Sequence, residues 1–457
     1  MQNSIIQKSQ LEGAMRLDAE YYQPEYLEIS KKIKLLNHST LGEIISILTD
    51  YHANGSYEIL RNNVSLLNYS EYALMIRAVD LQNNNYIDDV KYVNRKAYEF
   101  LEKTKIFGKE IIIDKIGNAG EVYLMPKLNR PVTLGMNLFL LRLRNNFSPE
   151  YLYSFLTCRY GQQMINQKIT GTAPLSIDKN SVRSIIVPIP NKVIELRVKD
   201  LVNNSIQQNN DSIFFYSQAE NLLLKELGFE DFNLDEELWS IVNFSDVRSA
   251  HRIDPEYFQP MYEQLMQKLK VQNSKTLYQL IVAHTTGYPF SSSNYVEQGV
   301  PLIRINNIRK GYLDLADTAF LTERDYSISL KDTAKAGDIV LSMSGTIGMT
   351  AVIEESVQKC SINQRILKFT PKNIDKDFLA LLLNSVVGRY QLERIGTGGV
   401  QTNISFNDIK NILIPRLGDI KEQKIADLVR KSHAARKTSK ELLEDAKREL
   451  EEMIEKR

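Results

Sequence analysis

Residues 16–26 read RLDAEYYQPEY and residues 252–262 read RIDPEYFQPMY, an offset of 236 (252 minus 16) at which seven of eleven positions are identical. Self-similarity at a fixed distance sets the architecture before any local reading does. The match reaches upstream through Ser9 with Ser245 and Ala14 with Ala250. Downstream, Tyr22, Tyr26, Ile29 and Ile33 correspond to Phe258, Tyr262, Leu265 and Leu269, at steps of four, three and four. This spacing predicts one face of an amphipathic helix in both copies, and with it a duplicated chain.

Farther on the offset falls to 228 and then 227, as small insertions in loops produce. Ile111, Ile112 and Ile113 run into a glycine turn at Gly117 and Gly120, and Ile339, Val340 and Leu341 into one at Gly345 and Gly348. GTAPLSIDKNSVRSIIVP (171–188) then corresponds to GGVQTNISFNDIKNILIP (398–415). Between these landmarks the copies differ freely, YHANGSYEILRNN after residue 50 standing against HTTGYPFSSSN after residue 283. A shared scaffold with divergent inserts suits two readers of different targets.

Each copy closes on a heptad seam. Val198, Leu201, Ser205, Gln208, Ser212, Phe215 and Ala219 alternate steps of three and four, and Ile425, Leu428, Ser432, Ala435, Ser439, Leu442 and Ala446 repeat the pattern 227 residues later. Serine and alanine on both seams let two helix backbones approach, so an antiparallel coiled coil is expected; two independent helices, each on its own domain, are the alternative. The expected class is α+β: two repeated domains, each a helix on a twisted sheet, separated by two long helices. The boundaries are 1–190 for the first domain, 191–228 for a central spacer helix, 229–417 for a linker and second domain, and 418–457 for a terminal spacer helix. A paired segment of roughly 30 residues spans about 45 Å at 1.5 Å per residue, enough to hold the two domains a fixed distance apart.

At 457 residues the chain exceeds the usual size of one core. With 43% hydrophobic and 25% charged residues it has the composition of an ordinary globular protein. Cys158 and Cys360 form no CxxC pair, and five scattered histidines offer no zinc spacing. No stretch approaches the roughly 18 apolar residues of a bilayer span, and the first residues carry no signal-like apolar run. The expectation is a cytoplasmic protein without membrane association. A net charge of +1 excludes a generic basic nucleic-acid coat, so any DNA contact must be local or shared with a partner.

The glycine turns could suggest phosphate cradles, but such loops open a helix whose amides face the anion. Here they lead into strand-like EVYLM and MTAVI, which predicts hairpins. EIIIDK (110–115) resembles a nuclease carboxylate cluster; its counterpart DIVLSM lacks the second acid and the lysine, favouring a buried strand with a solvated end. Tyr21, Tyr22, Tyr257 and Phe258 could stack on bases, yet helical spacing favours core packing. No methyltransferase [DNS]PP[YFW] motif, glycine-rich cofactor loop or GxxxxGK[ST] occurs, and no metal site is expected. Arginine reads guanine bidentately, and asparagine or glutamine reads adenine. The DNA-binding candidates are therefore polar residues of turns and loops: Arg77, Lys115, Asn118, Lys168 and Thr172 in the first copy, with Asp80 beside Arg77. In the second copy they are Arg304, Asn306, Asn307, Ser344, Thr346, Arg365, Thr397, Gln401 and Asn403.

With RLDAEYYQP, RIDPEYFQP, SGTIG, GTGGVQTNIS and the two seams together, the chain resembles the specificity subunit of Type I restriction-modification systems over nearly its whole length. The first copy departs from the second in having DKIGNAG for SMSGTIG and TGTAPLSI for TGGVQTNI. The resemblance implies two tandem target-recognition domains on double-stranded DNA, reading a bipartite target without catalysis or cofactor in this chain. It also implies partners: two modification (methyltransferase) subunits, and restriction subunits that translocate and cut. S-adenosylmethionine, ATP and magnesium would serve those subunits. Alternatives are the recognition subunit of a methyltransferase-only or Type IIB/IIG-like system, or a self-contained methyltransferase or nuclease, which lacks its motifs here.

Overall fold

The computed structural model describes residues 4–9, 11, 16–87, 89–144, 147–230, 239–397 and 402–456. They form two compact units, Met1–Gln208 with Thr438–Arg457, and Asn209–Lys437.

The first unit holds two four-stranded sheets. One orders the strands Ile45–Asp50, Leu138–Leu143, Ile111–Asp114 and Val122–Leu124, all antiparallel. The other orders Lys91–Val93, Ala73–Ile76, Val132–Leu134 and Lys105–Ile106, with Ala73–Ile76 parallel to Val132–Leu134. The second unit repeats both. Ile281–Thr285, Ile366–Pro371, Ile339–Ser342 and Thr350–Val352 form the antiparallel sheet. Ala319–Leu321, Val300–Ile303, Cys360–Ile362 and Thr333–Ala334 form the mixed one. Even the register shift recurs, between Ile45 and Ile47 and between Ile281 and Ala283. The duplication read from eleven residues thus extends to strand order and pairing.

Ile111, Ile112 and Ile113 are buried on both faces, because the sheet packs one core on each side; Ile111 and Ile113 join one cluster and Ile112 another. That explains an unbroken apolar run where a half-exposed strand would alternate. The strand ends differ from expectation. Glu110 and Asp114 are buried, not solvated. Glu110 accepts from the amides of Phe107 and Gly108 and pairs with Arg142, while Asp114 accepts from the Tyr123 hydroxyl at 3.3 Å. Hydrogen bonds and the Arg142 pair offset the cost of burying Glu110, whereas the single 3.3 Å bond to Asp114 leaves its Oδ1 without a partner among the described residues.

The repeated amphipathic helices are Pro24–Lys34 and Pro260–Lys270, burying Ile29 and Ile33 in one and Met261, Tyr262, Leu265 and Leu269 in the other. Proline at the first position supplies a preset φ and lacks only an amide that would go unused. Tyr22 and Phe258 therefore precede these helices, in the short turns Ala19–Tyr22 and Pro255–Phe258. Of the four aromatics expected in the core, Tyr22 is buried and Tyr21, Tyr257 and Phe258 are partly exposed.

The two seams lie on the helices Lys192–Leu227 and Asp419–Glu455, and they pair. In the first unit the Ser205 hydroxyl donates to the Ser439 carbonyl and the Ser439 hydroxyl to the Ser205 carbonyl, both at 2.8 Å, and Arg197 pairs with Glu449. In the second the Ser432 hydroxyl donates to the Ser212 carbonyl at 2.7 Å, and Lys421 pairs with Glu226. Rising numbers on one helix meet falling numbers on the other, so the pairing is antiparallel in each unit. Among the described residues no helix is long and apolar enough to cross a membrane.

Candidate nucleic-acid interface

The turn and the loop that follow the buried strand meet in each unit. In the first, the hairpin between Ile111–Asp114 and Val122–Leu124 turns at Gly117 and Gly120, with φ of 92° and 93°. A side chain at Gly120 would stand 2.5 Å from the Ile165 Cγ2, so the hairpin lies directly on the helix Arg159–Asn166. The loop 170–176 closes on itself through reciprocal Thr170 and Ser176 backbone bonds, both 2.8 Å, and reaches the hairpin where the Ile177 amide donates to the Lys115 carbonyl at 3.0 Å. Lys115, Asn118 and Thr172 are thereby brought together on one surface.

The second unit builds the same platform. Gly345 and Gly348 turn the hairpin, with φ of 71° and 82°. Thr397 and Asn403 exchange backbone bonds of 3.0 and 2.8 Å, and the Ile404 amide donates to the Met343 carbonyl at 3.0 Å. The Arg365 guanidinium extends to the Ser344 hydroxyl (3.4 Å) and the Asn403 carboxamide oxygen (3.5 Å). Ser344, Thr346, Arg365, Thr397 and Asn403 so form one cluster, with Thr346, Arg365 and Thr397 exposed and Ser344 buried. Gln401 lies outside the described residues.

Other candidates lie apart from the platforms. Arg77 and Arg304 occupy matching sites at the ends of Ala73–Ile76 and Val300–Ile303. The Arg77 amide donates to Asp80 and its guanidinium pairs with the same carboxylate at 2.7 Å, while also donating to the Asp89 carbonyl. The Arg304 amide donates to the Asn307 side chain, and its guanidinium reaches the Asp317 carbonyl and carboxylate. Asn306 is exposed and donates to Asp317; Asn307 is buried, donating to the Asp314 and Asp317 carbonyls. Lys168 donates to the Tyr21 hydroxyl at 2.9 Å and lies over its ring, with Arg16 over the same ring. Arg252 and Arg394 treat Tyr257 alike, at 4.8 and 4.5 Å from its centre.

Electrostatics separates committed cations from available ones. Asp50 pairs with both Lys115 (3.2 Å) and Lys179 (3.1 Å). Burial opposes the Asp50 charge, but the two ammonium groups outweigh it and hold the carboxyl below its ordinary range. Asp114, one residue before Lys115, is pushed up to about 6 by burial. Neither Asp50 nor Lys179 was expected at this site from the sequence. Their chain positions are remote from Lys115: the pairing of Ile45–Asp50 with Leu138–Leu143 brings in Asp50, and the bond from the Ile177 amide to the Lys115 carbonyl brings in Lys179, two residues farther on.

A family profile described as the Type I restriction modification DNA specificity domain matches residues 37–223 and 269–445, one match per repeat. The chain belongs to this family. Such specificity subunits are the DNA-target-recognition component of Type I restriction-modification systems and are not themselves catalytic. The Type I restriction enzyme MjaVIII specificity subunit of Methanocaldococcus jannaschii is 25% identical over 381 residues, covering 77% of this chain and 78% of that one. Among solved structures, the S subunit of a Type I system from M. genitalium aligns with 90% of this chain and 93% of its own, at 14% identity and a TM-score of 0.38. The HsdS subunit from Thermoanaerobacter tengcongensis aligns with 91% and 95%, at 14% identity and a TM-score of 0.28.

Proposed function

We propose that this specificity subunit reads a bipartite double-stranded DNA target, one half-site per repeat, and seats two modification subunits and the restriction subunits on it. The observation that carries the reading is the platform built twice, with the same backbone bonds and different side chains. Phosphate contacts supply affinity while base-edge contacts supply sequence choice, so a constant scaffold with variable polar tips gives independent half-sites. The recognition domains span 1–190 and 229–417, and 191–228 and 418–457 serve as spacers. Asn118, Thr172, Thr346, Arg365, Thr397 and Asn403 contact the bases or their phosphates, and Gln401, which lies outside the described residues, joins them as a candidate from the sequence. Lys115, Lys168, Ser344, Arg77, Arg304, Asn306 and Asn307 support those surfaces and contribute contacts at their edges. S-adenosylmethionine, ATP and magnesium belong to the partner subunits, and the complex works in the cytoplasm.

A net charge of +1 leaves the isolated chain with few counterions to release on binding. The chain alone therefore binds DNA weakly, and specific binding appears with the modification subunits. Titrating labelled target with the chain and with the reconstituted complex tests this. Nanomolar specific binding by the chain alone at physiological salt would refute it.

A further inference from the structure

We infer that one tight turn in each unit carries a base-selecting side chain: Arg365 choosing guanine in the second recognition domain, and Asn137 choosing adenine in the first. This rests on the DNA-recognition reading above, and adds to it which residues select and what each selects.

The turn links Val132–Leu134 to Leu138–Leu143 in one unit and Cys360–Ile362 to Ile366–Pro371 in the other, passing from the mixed sheet to the antiparallel one. Its exposed pairs are Met136-Asn137 and Gln364-Arg365, at an offset of 228 (365 minus 137). Both second residues have left-handed backbones, with φ of 63° for Asn137 and 67° for Arg365. Asparagine visits this region readily, whereas arginine pays on the order of 1 kcal/mol to occupy it. The backbone has been kept and the side chain changed.

What holds the position does not depend on the side chain. The Lys115 amide donates to the Asn137 carbonyl at 2.8 Å, and the Met343 amide to the Arg365 carbonyl at 2.9 Å. Through Lys115 and Met343 the turn is tied to the hairpin and to the loop beyond it. Substitution here alters chemistry at the centre of the platform without altering the platform.

Of the cations described above, Lys115 and Lys179 are committed to Asp50 and Arg77 to Asp80 in the first unit, and Arg304 to Asp317 in the second. Among the described residues the hydrogen-bond partners of Arg365 are neutral, and at 3.4 and 3.5 Å they orient its planar fork while leaving most of its five donors unused. A guanidinium fork fits O6 and N7 of guanine, and a carboxamide fits N6 and N7 of adenine. A phosphate-gripping position would keep its charge in both copies; this one exchanges a cation for a neutral amide, so base selection is favoured over backbone contact.

The test uses the complex with its modification subunits, expressed in cells free of other methylation, with genome-wide methylation as the readout. R365Q is expected to lose discrimination at one guanine of one half-site by about fivefold or more, drifting toward adenine, with the other half-site intact. R365K keeps the charge and should still methylate, with the same guanine relaxed. N137A should relax one adenine of the other half-site. An unchanged motif, a uniform fall in methylation at every site, or changes from both positions in one half-site would overturn the inference while leaving the recognition reading standing. A wild-type complex that methylates no enriched sequence would refute that reading, and this inference with it.

Discussion

The serine seam makes an asymmetric prediction for the second unit. The Ser432 hydroxyl donates to the Ser212 carbonyl at 2.7 Å, which leaves the Ser212 hydroxyl to donate to the Ser432 oxygen at 3.1 Å. S432A removes both bonds, whereas S212A removes one. At about 1 kcal/mol net per bond, less about 0.5 kcal/mol returned because alanine is the better helix former, S432A should cost about 1.5 kcal/mol and S212A about 0.5 kcal/mol. The first unit is reciprocal, since Ser205 and Ser439 each donate to the other's carbonyl, so S205A and S439A should cost equal amounts. S212L should cost roughly 3 kcal/mol, because nothing larger fits where a hydroxyl already contacts the facing backbone. Urea unfolding of the purified chain, read at constant slope, gives these values. A cost for S212A equal to or above that for S432A, or an S212L variant within about 0.5 kcal/mol of the parent, would refute the close helix approach.

G287A should be severely destabilising, by about 3 kcal/mol or more: its new carbon would lie 2.0 Å from the Asn363 carbonyl oxygen, at φ of 79°. G117A, with nothing within 4 Å, should cost only the backbone term of about 1 kcal/mol, and denaturation of both variants compares them. Asp114 sets a pH dependence. Burial raises its folded value to about 6 from the ordinary 3.8, so the folded state holds the extra proton and this contribution to stability is lost as pH rises from about 4 through 6. D114N should therefore flatten that part of the stability profile and gain up to roughly 3 kcal/mol at pH 7; a profile identical to the parent would contradict the burial argument.

The repeat and the seams were legible because both are periodic: RLDAEYYQP against RIDPEYFQP needs only a constant offset, and serine at matching heptad positions needs only a count of threes and fours. The hairpins followed from glycines ahead of apolar runs. What stayed hidden depends on neighbours far away in sequence. EIIIDK reads as a strand with a wet end, yet Glu110 is sheltered by Arg142 and two amides, and Asp114 by Tyr123. Arg77 and Arg304 read as solvated candidates for base contact, yet each meets an acid. Asn137 carries no period at all; only the left-handed turn it shares with Arg365, found by carrying the 228 offset back from the second copy, singles it out.

The central claim is that one chain carries two independent readers on a repeated scaffold. Replacing residues 252–417 with the equivalent part of a relative of different target, and sequencing the methylome made by the hybrid complex, tests it most directly. The account predicts a motif in which one half-site is new, the other is unchanged and the gap between them is kept. A motif altered in both halves together would contradict it.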